Sequence, residues 1–552
     1  MTSGYIAQPS FIQRQLRVLD LLHPERSSYA LPLLLELSGK PDTAALRAAV
    51  AAVVARHDAL RAAFPLVDGS PVMAIRDHLE LSIPETVVYV ETRDDWRAAL
   101  RSAADEFTAR PFDLTAGPLL RAGILYSERY GYGLVVVFHH IIADGASLVI
   151  GARDLVTAYD AVLSGSEPAW PELALQFPDY SDWEHERYSD PAAAETAAAT
   201  AAWRDKLRGL PQLLSLPYDH ASANDAPPAS GVATLQLDSI VGERLSAFAR
   251  ERGVTPFLTF LAVYAVVLRR WTALEDIVVT VPVSKRTQPE LAPLIGLLVD
   301  TLPLRLRFTP ELNFLQLMDT LRATFLEALR HRSVPFDRIL QAIGLERQGE
   351  ATSLLQLLFG EMTDTRPLPA ARDGVVFSLA DETVNQAAKT DISLVYRLSS
   401  KGLELWCRYD ANRFEASTIN RLLGWFGTVA RRVVDDPSLP VDEIALADEV
   451  EVRELLASFN DTQRPYSNST SVPALFSTVA QKRPQAAPIE TPEGSLSYRE
   501  LSDQARGLAS VLEEEGVSRG DPVVLVLHPS ATLIRSILAV LTLGASYVTV
   551  DP

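Results

Sequence analysis

Sulfur, cationic charge and long apolar runs are what this chain is short of. Its single cysteine, Cys407, cannot form an internal disulfide. A chain without disulfides suits a reducing compartment. Lysine and arginine number 51 against 70 aspartates and glutamates, a formal net charge of −19. A surface of that sign repels nucleic acid and anionic membrane. No stretch approaches the roughly 18 consecutive apolar residues that a membrane-spanning helix needs. The start, MTSGYIAQPS, has neither the basic region nor the apolar core of a signal peptide. Together these features predict a soluble cytoplasmic protein.

With 47% hydrophobic and 22% charged residues over 552 positions, the composition is globular and the chain is too long for one ordinary domain. The most informative stretch is 131–147, GYGLVVVFHHIIADGAS. Leu134 to Phe138 have the β-branched and aromatic bias of a buried strand, and His139 and His140 stand where it stops. Asp144 and Gly145 make a turn, and from Ser147 onward Leu148, Leu155, Tyr159 and Val162 fall near helical spacing. Histidine alone has an unperturbed pKa near physiological pH, so an imidazole held at a strand end is suited to proton transfer. A lone histidine there is more often a packed core residue. Two adjacent ones point to opposite faces, which predicts His139 inside and His140 in a cleft. A metal site is a minor alternative, because two histidines and an aspartate need further ligands and the only cysteine is remote.

Taken in order, the chain alternates helices and strands in two blocks of similar size. The first has a helix with Phe11, Leu16, Leu19 and Leu22 on one side, a strand over Leu31 to Leu37, and an Asp-capped helix over 42–64 that carries Arg56, His57 and Arg61 near its end. Those charges suit a solvated face, and for His57 and Arg61 a structural ion pair suits equally. A strand after PFDLTAG is expected to neighbour GYGLVVVFHH, and Tyr180 and Trp183, three apart, are expected to pack in the core. The second block begins near residue 230. It contains a strongly apolar helix (GVTPFLTFLAVYAVVLRRW), a buried strand (IVVTVPVS), and IGLLVDTLPLRLRF, which reads as a strand pair punctuated by proline. Residues 389–434 read as two strands joined at Lys401 and Gly402, then a capped helix. Asp, Pro and Ser enrichment over 435–470 marks a boundary, and the strand–helix alternation beyond it resembles the start of a larger α/β domain that stops at Pro552.

Residues 10 to about 435 resemble the condensation domain of nonribosomal peptide synthetases, and 471–552 resemble the opening of an adenylation domain. The two-His, three-residue, Asp-Gly signature alone is shared with chloramphenicol acetyltransferase and other CoA-dependent acyltransferases. The accompanying motifs narrow it: the Ser10–Leu22 helix, RHDALRAAF at 56–64, FHHIIADGAS at 138–147, PDYSDW at 178–183, IGLLVDT at 295–301 and VPFD at 334–337. LSYREL at 496–501 and LTLGASYVTVDP at 541–552 resemble the first two adenylation motifs. This chain has Asp300 where the family usually has Asn, Ala146 where Trp is frequent, and Ile12 where Ala is usual. None of these touches His140, Asp144 or Gly145.

The fold class this resemblance implies is α+β: two chloramphenicol-acetyltransferase-like lobes in a V-shaped pseudo-dimer with a central tunnel, plus a partial α/β adenylation fragment. The expected divisions are 1–172 and 173–440 for the two lobes, 441–470 for a linker and 471–552 for the fragment. The implied activity is amide bond formation between a donor acyl or aminoacyl thioester and the α-amine of an acceptor, each on the phosphopantetheine arm of a carrier protein. The implied catalytic set is His140, His139, Asp144 and Gly145. Asp144 is expected to pair with Arg286 or Arg56, with Arg61 as a further structural ion-pair candidate, and Trp183, Asp300 and Ser147 are expected to line or support the tunnel. No cofactor and no metal are expected on the chain itself, and no ATP site in the fragment, which is expected to add nothing to condensation. With Met1 nine residues before the motif helix, the donor carrier is expected in trans, and the acceptor carrier and the rest of the synthetase are the other partners. Neither nucleic acid nor membrane is expected. Two rivals are an epimerase-type domain of the same superfamily and a non-catalytic docking platform for partner enzymes. The adenylation start that follows disfavours the first, and the intact histidines disfavour the second. Cyclisation would need Asp in place of His139.

Overall fold

The computed structural model describes residues 4–22, 29–188, 194–211, 213–221, 229–344, 353–362, 368–380, 390–399, 402–464, 470–491 and 494–552. The chain divides into two compact units, Met1–Val452 and Arg453–Pro552.

The first unit holds two large hydrophobic cores, each built on one sheet. The first sheet runs, in spatial order, Val376–Leu379, Ala30–Ser38, Gly131–His139, Leu120–Ser127 and Glu85–Val87. Its central strand Gly131–His139 is antiparallel to both long neighbours, with Ala30 opposite His139 and Leu120 opposite Phe138. Leu134 to Phe138 are buried on both faces, which is why this segment shows no polar alternation. Helices Thr43–Arg56 and Gly145–Ser164 cover one face, joined through Val50, Val53, Leu155 and Tyr159. Asp42 caps the first of them, its carboxylate accepting the Ala44 and Ala45 amides at 2.8 and 2.9 Å.

The second sheet runs Ser230–Leu237, Gly402–Asp410, Ile392–Ser399, Leu357–Glu361, Asp276–Ser284 and Val299–Arg307. Its core is organised by helix Pro256–Thr272, capped by Thr255 with Pro256 at the first helical position and buried continuously from Leu258 to Leu268. No single helix among the described residues is long and apolar enough to cross a membrane. One bent pair passes on length and composition, and its second member is this core helix.

Several expectations need correction. Residues 295–308 do not form a strand pair: Val299–Arg307 is one strand that runs through Pro303. It is the edge strand of its sheet, where a residue without an N–H is tolerated. The lobes are not contiguous at 172/173. Phe177 and Tyr180 belong to the first core, and so do Leu291, Leu294, Ile295, Leu297 and Leu298 and the segment Leu368 to Phe377. Strand Val376–Leu379 supplies the ladder that strand Ala30–Ser38 would otherwise leave open on that side. The expected linker 441–470 contains a helix, Glu449–Phe459, and the division between the compact units falls within it. Helix Ala416–Asp435 follows Glu415 without a side-chain cap. Ser399 and Gly402 pair directly, but Lys401 of the expected turn lies outside the described residues.

The second unit contains helix Val472–Lys482, a short hairpin, helix Tyr498–Glu514 and a parallel strand pair, Pro522–Val526 with Ser546–Val550, joined by helix Ala531–Thr542. Val524, Val526, Tyr547, Val548 and Val550 are exposed.

Candidate active site

The sheet that ends at His139 also settles what the two imidazoles face. His139 is buried, edge-on to Phe112 (5.8 Å between ring centres) and tilted against Tyr29, with Nδ1 accepting the Ile141 amide at 3.1 Å. His140 turns the other way and lines a cavity of about 670 Å³. Its Nδ1 lies 2.8 Å from the Ala143 carbonyl oxygen. A carbonyl only accepts, so Nδ1 carries the proton in the neutral ring and Nε2 is its basic nitrogen.

Asp144 is not merely a turn residue. It is the N-cap of helix Gly145–Ser164, accepting the Ser147 amide at 2.9 Å and lying 2.7 Å from the Ser147 hydroxyl. Arg286 meets it with two parallel bonds, Nη1 to Oδ2 at 2.7 Å and Nη2 to Oδ1 at 2.9 Å, and the Leu298 amide donates to Oδ2 at 2.9 Å. Burial alone would raise this carboxyl, but the Arg286 charge and the donated hydrogen bonds outweigh it and hold the pKa below its ordinary value. Ser147 extends the clamp, its hydroxyl accepting the Gly296 amide at 3.1 Å. The helix that follows the histidines is thereby fastened to the loop 285–298.

Arg56, the other candidate for Asp144, and Arg61, the further ion-pair candidate, are elsewhere. Arg56 pairs with Asp154 at 3.0 Å, packs over the Trp170 ring and shares Asp154 with buried His57, 2.8 Å away. Arg61 pairs with Asp58 one helical turn before it. Arg56 is thus taken by a carboxylate 98 residues away, on the helix that Asp144 caps, whereas Arg61 is taken by the aspartate three residues before it. Trp183 is 39% exposed, which corrects the expectation of core packing. With Tyr180 and Asp300 it lines a second cavity of about 340 Å³. Neither Trp183 nor Asp300 lines the histidine cavity.

Sequence reasoning missed a buried cluster beside that second cavity. Lys285 Nζ lies 2.6 Å from Glu184 and 3.2 Å from Asp300, while Glu184 also accepts the Tyr180 hydroxyl and the Phe11 amide, each at 3.0 Å. Burial works against the Lys285 charge, but Asp300 and Glu184 overcome it and hold the ammonium well above its usual pKa. Burial would raise Glu184, yet Lys285 brings it below the ordinary range, whereas for Asp300 burial wins and the carboxyl is raised. Lys285 and Arg286 are consecutive, so one chain segment fastens both helix Phe177–Tyr188 and the histidine loop. The only signal in the sequence was that adjacency.

The histidine cavity is completed by Gly145 and Ala146 at the start of helix Gly145–Ser164 and, later in the chain, by Phe257, Pro282, Ser284, Leu298, Val299, Phe325, Glu361 and Met362. No group of three or more His, Cys, Asp or Glu suited to a metal ion occurs among the described residues.

A mixed α/β frame thus presents one imidazole to a cavity, an arrangement suited to proton transfer. The family model described as Condensation domain matches residues 6–456, and that described as AMP-binding enzyme matches 476–552. The chain is 31% identical over 545 residues to phosphinothricin tripeptide synthetase PhsC of Streptomyces viridochromogenes, covering 98% of this chain and 50% of that protein. It is also 29% identical over 545 residues to tyrocidine synthase 2 of Brevibacillus parabrevis, covering 98% of this chain and 15% of that protein. The chain thus spans half the length of the first of these relatives and about a seventh of the second. Among solved structures it is similar to the first condensation domain of the calcium-dependent antibiotic synthetase in complex with a substrate analogue (TM-score 0.69, 21% identity, 81% of this chain, 100% of that one). It is also similar to the X-domain solved in complex with OxyB from teicoplanin biosynthesis (TM-score 0.70, 26% identity, 81% and 98%). The chain belongs to the condensation-domain family of nonribosomal peptide synthetases, peptide-bond-forming enzymes of the acyltransferase type. It continues into a fragment of an AMP-binding domain.

Proposed function

We propose that this chain joins a donor acyl or aminoacyl thioester to the α-amine of an acceptor aminoacyl thioester, both presented on phosphopantetheine arms of carrier proteins. The observation that carries this reading is His140, whose Nε2 is the basic nitrogen of a ring held in the cavity by the Ala143 carbonyl. The amine nitrogen attacks the thioester carbonyl, a C–N bond forms and the C–S bond breaks. The amine proton passes to His140 Nε2 and on to the departing thiolate, leaving an amide and a free thiol. An α-amine with a pKa near 8 is already partly neutral, so the imidazole need only orient it and take the proton late. Holding both arms in line supplies much of the rate by replacing a bimolecular encounter. Gly145 and Ala146, at the cavity and in the first turn of a 20-residue helix, are positioned to offer amides to the developing oxyanion. In this proposal Asp144 is structural: with Arg286 it holds the loop. His139 packs beneath it, and Ser147 supports the clamp. Trp183 and Asp300 belong to the neighbouring cavity, away from the reacting atoms.

The partners are an upstream donor carrier, supplied in trans, and a downstream acceptor carrier. The proposed setting is the cytoplasm, where the buried Cys407 thiol stays reduced. Epimerisation is not favoured, because the matched family and the relatives are condensation domains and peptide synthetases. The likeness to an X-domain keeps a docking role as the second reading. The test is the intact mass of a loaded acceptor carrier after mixing with a separate loaded donor carrier and this protein. Condensation adds the donor acyl mass. Epimerisation leaves the mass unchanged and inverts the α-carbon, and a docking platform does neither.

A further inference from the structure

Helix Phe11–Leu22 opens on a capping box whose second member does more than cap. The Ser10 amide donates to Gln13 Oε1 at 3.0 Å, and the Ser10 hydroxyl accepts the Gln13 amide at 3.4 Å. Glutamate would close that box as well as glutamine does. Only glutamine has an NH₂ left over, and Gln13 Nε2 donates to the Ile141 carbonyl at 2.7 Å, 128 residues away in sequence. The two ends of the carboxamide cannot be exchanged, because a backbone N–H only donates and a carbonyl only accepts. Gln13 is wholly buried, where a lost partner is not replaced by bulk water. Its base is fixed as well. Helix Phe177–Tyr188 holds the chain before it at three points: Glu184 accepts the Phe11 amide at 3.0 Å, His185 Nε2 lies 2.8 Å from the Pro9 carbonyl oxygen, and the Ser181 hydroxyl donates to the Gln8 carbonyl at 2.6 Å. At the far end of the tie is the turn that carries His140. The His140 amide donates to the Tyr29 carbonyl at 2.6 Å and the Ile142 amide to the His139 carbonyl at 3.0 Å. Both backbone groups of Ile141 are held by side chains, its amide by His139 Nδ1 and its carbonyl by Gln13.

We propose that Gln13 is a positioning residue for condensation: its carboxamide ties the 139–143 turn to the anchored start of helix Phe11–Leu22 and thereby aims the His140 ring into the cavity. Gln13 does not line that cavity and acts only through Ile141. The Asp144–Arg286 clamp fastens the chain just after the turn, and Gln13 fastens the turn itself, so His140 sits between two long-range ties. A group that must meet a reacting atom loses rate steeply when it is displaced by even a fraction of its contact distance. This inference rests on the condensation reading and adds a supporting residue to the same site.

The experiment compares the full chain with Gln13→Met, Gln13→Glu and Ser10→Ala. It measures amide formation by mass against acceptor-carrier concentration, and hydrogen exchange of the peptide spanning 138–147. Gln13→Met keeps the length of the side chain and loses both of its bonds. Gln13→Glu keeps the bond from the Ser10 amide and, when ionised, loses the donor to Ile141. Ser10→Ala loses only the capping hydroxyl. Gln13→Met is expected to lower kcat roughly 10- to 100-fold with KM for the acceptor carrier within about threefold, and to speed exchange over 138–147. Gln13→Glu should show the same loss at about pH 9 and regain rate relative to the parent on acidification, because a protonated carboxyl can again donate to Ile141. Ser10→Ala should lower the melting temperature while kcat stays within about threefold and the exchange is unchanged. Parent-like kcat in Gln13→Met, Gln13→Glu matching the parent up to about pH 9, or an equal loss of kcat in Ser10→Ala would show that Gln13 only caps its helix, and the proposal would be wrong. If one Gln13 variant does not fold, the other decides. A parent that makes no amide overturns the condensation reading instead, and the exchange of 138–147 still tells whether Gln13 holds the turn.

Discussion

His140 and Asp144 lie four positions apart and are expected to fail differently when replaced. His140 lines a cavity and contributes little to a core, so His140→Ala should fold and melt near the parent while condensation falls by roughly 10²- to 10⁴-fold. A loss under about threefold, with chemistry shown to be the slow step, would remove the assignment. Asp144→Ala strands the Arg286 guanidinium in a buried site and should cost about 3 to 5 kcal/mol in a denaturant melt. A variant that melts like the parent yet makes no amide would make Asp144 catalytic. The pH dependence has a fixed sign. The folded-state pKa of Asp144 is depressed, so its contribution is fully present above the unfolded value near 4 and is lost as the pH falls below that toward the folded value. The stability gap between the parent and Asp144→Asn should therefore be flat from pH 7 down to about pH 4.5 and shrink on further acidification. A gap that widens in acid would contradict the depressed pKa.

Lys285 joins elements that are far apart in sequence: helix Phe177–Tyr188 through Glu184, strand Val299–Arg307 through Asp300, and, through Glu184, the amide that opens helix Phe11–Leu22. Lys285→Met should leave two buried carboxylates without a cation and lower stability by about 3 to 5 kcal/mol, and adding Glu184→Gln should restore part of it. Equal stability of Lys285→Met and the parent, measured by denaturant midpoint, would show the cluster is dispensable. Loop 285–298 is held equally closely at Gly296. A Cβ there would lie 2.0 Å from the Phe177 ring while the Gly296 amide is bonded to Ser147. Gly296→Ala is expected to destabilise by roughly 1 to 3 kcal/mol and to lower activity through the displaced Asp144 clamp. Phe177→Leu in the same chain should relieve part of both. Patterning made the helices and strands of both blocks legible, because apolar periodicity and caps such as Asp42 and Thr255 act within a few residues. It misread Val299–Arg307 as two strands, since a proline on an edge strand and a proline in a turn look alike until the neighbouring strands are known.

As a whole molecule the chain is two compact units, and the proposed chemistry lies entirely in the first. Truncation after Val452 retains Glu451, which accepts the Trp425 indole N–H at 3.1 Å, and removes the two-stranded sheet with its exposed apolar edge residues. Such a chain is expected to form amide at the parental rate with the same carriers and to be at least as soluble. Markedly slower condensation at an unchanged melting temperature would show that residues 453–552 shape the acceptor side of the reaction.

What the amino-acid order determined by itself is local. The buried strand of Leu134 to Phe138, the paired histidines on opposite faces and the helix after Asp144 follow from side-chain alternation and capping over some thirty residues. The family motifs then supplied the class of chemistry. Which arginine meets Asp144 was open, because Arg56 and Arg286 are equally cationic and only the path of the chain decides which guanidinium reaches a carboxylate. The fold brings Arg286 across 142 residues to Asp144, while Arg56 finds Asp154 first. The Glu184–Lys285–Asp300 cluster, the crossing of Val376–Leu379 into the first sheet and the placing of Glu361 in the wall of His140's cavity are likewise long-range. Ion pairs, edge-strand ladders and cavity walls depend on distances between segments that no local pattern encodes, so only the packed tertiary structure could decide them.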